Sequence, residues 1–142
     1  MKTIKVVIVS GETEVYKGFA TLLILPGQMG ELGITPRHSP LLTVLVPGEI
    51  RIMQQNGMEV LMYVSGGYVE VQPHVVTVLA DVAVRAENLD EKRAKSAREK
   101  AEQIIADGAT GISYAQARAE LVAACAQLKT LDDLRKRRRK TH

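Results

Sequence analysis

The hydrophobic pattern changes period once, at Asn88, and that change divides the chain. Ahead of it the apolar residues alternate or form short runs. Ile4, Val6 and Ile8 alternate with Lys5 and Val7, and the runs Leu22 to Leu25 and Leu41 to Val46 are bounded by turn residues. Ile50 to Gln54 and Met58 to Val64 flank Asn56-Gly57, a pair that predicts a type I′ hairpin turn with φ > 0 at both central positions. Ser65-Gly66-Gly67 leads into Tyr68 to Gln72, and Pro73-His74 leads into Val75 to Ala80. Short strands at such spacing suggest a sandwich or a barrel, and residues 1–87 suffice for two packed sheets, an antiparallel β-sandwich.

From Asn88 the spacing is helical. Asn88 with Glu91 reads as a capping box. Ala94, Ala97, Ala101, Ile104 and Ile105 share one helical face. Asp107-Gly108-Ala109-Thr110-Gly111 breaks the helix, and Ser113 with Gln116 reads as a second start. Tyr114, Ala117, Leu121, Ala124, Leu128 and Leu131 then form a narrow seam for one partner helix. Two helices joined by so short a break predict an antiparallel α-helical hairpin over residues 88–142. The fold class is therefore α+β in two domains. Alanine buries little, about 0.8 kcal/mol per methylene-sized group against ~1.5–3 for leucine, so the hairpin closes tightly but weakly.

Between the strands lies PGQMGELGITPRHSP, Pro26 to Pro40, with three of the chain's five prolines. Proline and glycine make it a shaped surface connection, too irregular for a helix or a long strand. An enzyme loop and a protein-docking surface both fit that description.

Charge is distributed unevenly. Residues 1–87 hold 6 Lys/Arg against 8 Asp/Glu, a net of −2, and residues 88–142 hold 13 against 8, a net of +5. The excess ends in Arg135-Lys136-Arg137-Arg138-Arg139-Lys140. Such a run suits nucleic acid, an anionic membrane surface, an acidic protein face, or simply a solvated, frayed helix end. No apolar run approaches the ~18 residues that cross a bilayer, and MKTIKVVIVSGETE reads as a strand rather than a signal peptide. The single cysteine, Cys125, excludes an internal disulfide and a multi-cysteine metal site and points to a reducing compartment.

No catalytic constellation emerges. His38, His74 and His142 stand far apart with no partner at ligand spacing. His38 beside Ser39 makes no triad by adjacency. Gly27, Gly30 and Gly33 match neither a phosphate loop nor a dinucleotide fingerprint. Aromatic residues are few and not interleaved with the basic run, which leaves stacking on single strands without support.

The blocks PGQMGELGITPRHSPLLT (Pro26 to Thr43), PGEIRI (Pro47 to Ile52), SGGYVEV (Ser65 to Val71) and VTVLAD (Val76 to Asp81) resemble, in order and spacing, the epsilon subunits of bacterial F-type ATP synthases. ENLDEKRAKSAREKAE (Glu87 to Glu102) resembles the start of that family's C-terminal helix pair. The resemblance implies a non-catalytic rotor subunit, peripheral to the bacterial inner membrane on its cytoplasmic side, with no direct membrane insertion and no nucleic-acid partner. Its sandwich would join the gamma shaft to the c-subunit ring. Gly27, Gly30, Glu31 and Leu32 would face the ring, and Ser10, His38 and Thr43 would face gamma. The hairpin would regulate ATP hydrolysis by switching between a compact state and an extended state. Extended, it would reach the alpha and beta subunits of the catalytic head, with Arg135, Lys136, Arg137, Arg138 and Arg139 as an inhibitory basic helix.

Leu89-Asp90-Glu91-Lys92-Arg93-Ala94 matches the family's LDxxRA motif, which in some members helps to hold ATP. Where tight-binding members add arginines, this chain has Lys100, Cys125 and Lys129. Lysine lacks the bidentate fork, so the resemblance implies weak regulatory ATP at Asp90 and Arg93 and no other cofactor or metal. Asp90 and Arg93 serve equally as braces of the helix start. Two other readings remain at this stage: a nucleic-acid-binding module using the basic helix, and an enzyme using His38.

Overall fold

The computed structural model describes residues 2–140, so His142 lies outside the described residues. The chain forms two compact units, Met1–Arg85 and Ala86–His142. The first holds ten strands: β1 Ile4–Ser10, β2 Thr13–Ala20, β3 Leu22–Gly27, β4 Gly30–Ile34 and β5 Leu41–Leu45, then β6 Gly48–Met53, β7 Glu59–Val64, β8 Gly67–Val71, β9 Val75–Ala80 and β10 Ala83–Arg85. They run in the order β10-β7-β6-β3-β5-β8-β9-β1-β2, with β4 on β3.

The expected β-sandwich is present, with one pairing that alternation does not reveal. β1 lies parallel to β9, Val6 opposite Val76 and Ile8 opposite Val78. A parallel pair needs a long crossover, and here the strands between β1 and β9 supply it. Period two then builds the core. Ile4, Val6 and Ile8 of β1, Val76 and Val78 of β9, Ile50 and Ile52 of β6, and Leu23 and Leu25 of β3 are fully buried. Each such side chain contributes about 1.5–3 kcal/mol. The buried cluster is drawn entirely from residues between Ile4 and Ala83, so this unit has its own core.

Two turn expectations change. At Asn56-Gly57 only Gly57 has positive φ, at 83°. The Gly57 N–H donates to the Gln54 carbonyl at 3.0 Å, and the Gln54 N–H donates to the Met58 carbonyl at 2.9 Å. This is a three-residue loop closed by a left-handed glycine rather than a type I′ turn. The Asn56 side chain explains the choice: its Oδ1 accepts the Met58 N–H at 2.9 Å, holding the longer loop. Of the stretch Pro26 to Pro40, expected as an irregular connection, residues 26–34 are instead part of the β3–β4 hairpin, turning at Gln28-Met29 with Gly27 opposite Gly30, and residues 35–40 are irregular as expected.

The second unit opens with a 3-10 turn, Ala86–Asn88, which packs on the last helix. That contact places the unit boundary ahead of Asn88. Helix α1 spans Glu91–Ala106 and α2 spans Gly111–Lys140. Both predicted starts shift. Asp90, not Asn88, caps α1, accepting the Arg93 N–H at 3.1 Å, because Asn88 is consumed by the 3-10 turn. α2 begins at Gly111, ahead of Ser113, and the 30-residue helix is about 45 Å long at 1.5 Å per residue. The alanine seam closes as expected, with Ala94 and Ala101 buried on α1 and Ala117 and Ala124 on α2. Ile104 and Tyr114, read onto the seam, stay 43% and 42% exposed beside the inter-helix turn.

Candidate functional site

The β3–β4 hairpin projects a small polar and apolar tip. Met29 at its end is 96% exposed. Pro26 and Gln28 anchor its base: the Val46 N–H donates to the Pro26 carbonyl at 2.9 Å, and the Gln28 N–H donates to the Val44 carbonyl at 3.0 Å. Gly30 and Glu31 lie exposed at the tip, with Leu32 half-buried. Gly27 is buried, and a Cβ there would sit 2.7 Å from the Gly30 carbonyl oxygen. Gly27 therefore shapes the turn and offers no surface. Met29 was missed in the sequence reading, although an apolar residue at a glycine-flanked turn is the available signal.

The three residues expected to face gamma come from three separate segments. His38 sits in the loop before β5, its backbone N–H donating to the Thr35 carbonyl at 3.2 Å. Its Nδ1 lies 2.7 Å from the Ser39 carbonyl oxygen. Thr43 on β5 is opposite Val69. Ser10 ends β1 and its Oγ accepts the Ala83 N–H at 3.1 Å, so that hydroxyl is already used within the sandwich. β8 and β9 separate β5 from β1, three strand spacings or about 14 Å. Among the described residues no carboxylate orients His38, and no group of three His, Cys, Asp or Glu is placed to hold a metal.

An apolar stripe crosses the same sheet and was not read from the sequence. Val44, Tyr68 and Leu79 align across β5, β8 and β9 and are 37%, 57% and 54% exposed. Val9 of β1 continues the row opposite Leu79. Leu42 beside it is also exposed. Contiguous exposed apolar surface of this kind marks interaction sites.

In the helical unit, Asp90 caps α1 through one carboxylate oxygen, Oδ1. Arg93 lies in an open hollow with Lys92, Ser96, Lys100 and Glu120. Glu120 brings negative charge to the wall that would have to meet phosphate. Cys125 is exposed and Lys129 pairs with Asp133 at 2.9 Å. The terminal run is helical through Lys140. Lys136 pairs with Asp132 at 3.1 Å, and the Arg135 guanidinium crosses to Glu91 on α1. That contact holds the Glu91 carboxyl down at about 2, with Lys95 adding to the effect, and raises Arg135 in turn. No helix among the described residues is long and apolar enough to cross a membrane.

Residues 3–86 match the description "ATP synthase, Delta/Epsilon chain, beta-sandwich domain", and residues 87–132 match "ATP synthase, Delta/Epsilon chain, long alpha-helix domain". The chain belongs to the ATP synthase delta/epsilon family. Within this family it is 52% identical over 137 residues to the ATP synthase epsilon chain of Alkalilimnicola ehrlichii, covering 96% of this chain and 98% of the relative. It is 50% identical to the epsilon chain of Nitrosococcus oceani, covering 95% and 96%. Family members of this kind are non-catalytic subunits of the synthase, and so is this chain. In fold it is similar to a chain of the Euglena gracilis mitochondrial ATP synthase, with a TM-score of 0.82 at 19% identity, covering 91% of this chain and 81% of that one. A chain from the central stalk and c-ring of the Tetrahymena thermophila mitochondrial enzyme gives 0.57 at 16% identity, covering 92% and 97%. The family match ends at residue 132, so the basic run lies beyond it.

Proposed function

We propose that the chain is a central-stalk rotor subunit of a bacterial F-type ATP synthase, joining gamma to the c-ring through its sandwich and restraining ATP hydrolysis through its hairpin. The observation that carries this reading is similarity of about half the residues to epsilon chains over almost their whole length. Docking is assigned to residues 1–87 and regulation to residues 88–142.

The hairpin tip with Met29, Gly30, Glu31 and Leu32 is the c-ring face. A rigid hairpin anchored at Pro26 loses little entropy on docking, which suits a joint that carries torque. The gamma contact is assigned to Ser10, His38 and Thr43, while the stripe of Val44, Tyr68 and Leu79 projects from the face of β5 opposite to Thr43 and is a separate exposed surface. The helical unit switches between compact and extended states. Its support is the alanine seam, whose small burial keeps two arrangements within a few kcal/mol. In the extended state the basic run meets the alpha and beta subunits. The chain is peripheral, held at the cytoplasmic side of the inner membrane by its partners. Asp90 and Arg93 bind ATP only weakly, because one oxygen of Asp90 is taken by the cap and Glu120 opposes phosphate.

The test is reconstitution. The full chain should co-purify one to one with gamma and show no preference for DNA. A complex rebuilt with residues 1–87, which carry a complete core, should still pump ions with ATP and should hydrolyse ATP with less restraint. Loss of pumping in the truncated complex would overturn the assignment of coupling to the sandwich.

A further inference from the structure

Glu91 is the first residue of α1, and Arg135 lies 44 positions later, near the end of α2. Arg135 Nη1 donates to Glu91 Oε1 at 3.3 Å while Nη2 donates to Oε2, so both carboxylate oxygens are engaged by one guanidinium. Lys95, one turn along α1, approaches Oε1 at 2.9 Å. Lys129 and Lys136 are satisfied within α2 by Asp133 and Asp132. Arg135 to Glu91 is thus an ion pair that ties the two helices together. A two-pronged pair fixes direction as well as distance.

We propose that the Glu91–Arg135 bridge is the latch of the folded hairpin, fastening the far end of α2 to the start of α1 so that opening requires release of the guanidinium. The proposal rests on the regulatory reading given above. The buried residues of the two helices are Ala94, Ala101, Ala117, Ala124, Thr130 and Leu131, with one large apolar side chain among them. With so little burial along the seam, one directional charge pair at its end is a meaningful fraction of what holds the hairpin shut. The bridge also divides the basic run. While the hairpin is closed, Arg135 belongs to α1, and opening returns it to Lys136 and its neighbours. One residue thereby serves the closed state as a tie and the open state as part of a cationic surface.

The test uses the full chain and amide hydrogen exchange in the first turns of α1 and around residues 128–136 of α2. Glu91→Gln, Arg135→Gln and the double variant form a cycle. Glu91→Gln alone also loses Lys95 and an acid at a helix N-terminus, and the cycle removes those contributions. Each single variant should speed exchange by about two- to fivefold, the scale of an exposed pair, and the double should be no faster than the faster single. Arg135→Lys should fall between parent and Arg135→Gln. A double variant whose acceleration is the product of the two singles would overturn the latch, as would an unchanged Arg135→Gln. The regulatory reading is checked separately, by adding the full chain to a synthase complex depleted of it. ATP hydrolysis should fall. Unchanged hydrolysis would overturn that reading and the latch's part in inhibition, whatever exchange shows.

Discussion

Glu31 on β4 and Arg51 on β6 approach to 3.5 Å from opposite sides of β3, their partners on that strand being Pro26 and Ile24. The pair braces the hairpin tip from outside the core. An exposed pair contributes about 0–1 kcal/mol, so Arg51→Gln should lower stability by less than about 1 kcal/mol in denaturant titration. Its effect on coupled ion pumping should be smaller than that of Met29→Ser, because Met29 carries the tip's apolar surface. Equal, parental pumping in both variants would remove the tip from the interface.

Gly67 gives a sharper stability test. Its φ is +138°, and a Cβ there would lie 2.1 Å from the Leu79 carbonyl oxygen and 2.8 Å from the Ala80 Cα. Both obstacles are backbone, so the neighbouring strand has to shift. Gly67→Ala should destabilise the sandwich by ~3 kcal/mol or more. Gly33→Ala, with open space around it, should cost well under half of that by the same measurement.

Asp90 separates a structural role from a ligand role. Its side chain caps α1 through the Arg93 N–H, and removing such a cap costs about 1 kcal/mol. Asp90→Asn should preserve helix stability, since asparagine caps as well as aspartate, and Asp90→Ala should not. Calorimetric titration with ATP should give an affinity weaker than micromolar for the parent. Sub-micromolar binding abolished by Arg93→Ala would contradict the expectation.

The bridge at Glu91 should be insensitive to physiological pH. Its carboxyl is lowered from the ordinary value 4.5 to about 2, first by the Arg135 hydrogen bonds and then by Lys95. Arg135 also feels Asp132 on its own helix. A carboxylate with a depressed folded-state value contributes fully above its unfolded value and loses that contribution as pH falls through the folded one. Hairpin opening, read by amide exchange, should therefore be flat from about pH 6 to 9 and rise only between 4.5 and about 2. A Glu91 carboxyl titrating near 4.5 by NMR would show the bridge to be absent in solution.

The basic end should act electrostatically. Replacing Arg137, Arg138 and Arg139 with glutamine should relieve inhibition of hydrolysis at low salt, and parent and variant should converge at high salt, because charges beyond ~8 Å are already screened at physiological ionic strength. Equal inhibition at low salt would mark the run as a solvated helix end.

Local pattern by itself determined the two-part division, most strands, both helices and the alanine seam, because period two and period 3.6 are written in residues a few positions apart. It also fixed the position of the basic run. Turn and cap details were decided by competition the pattern does not record: the 3-10 turn takes Asn88 and leaves Asp90 to cap α1, and the Asn56 side chain selects the longer loop. Tertiary structure alone decided what meets what. The parallel pairing of β1 with β9 joins segments about 70 residues apart. Val44, Tyr68 and Leu79 become one exposed stripe only through strand register, and Glu91 meets Arg135 only because two helices fold back on each other. Such contacts depend on where the chain returns in space, and a one-dimensional pattern fixes which face each residue lies on without fixing its partner across the gap.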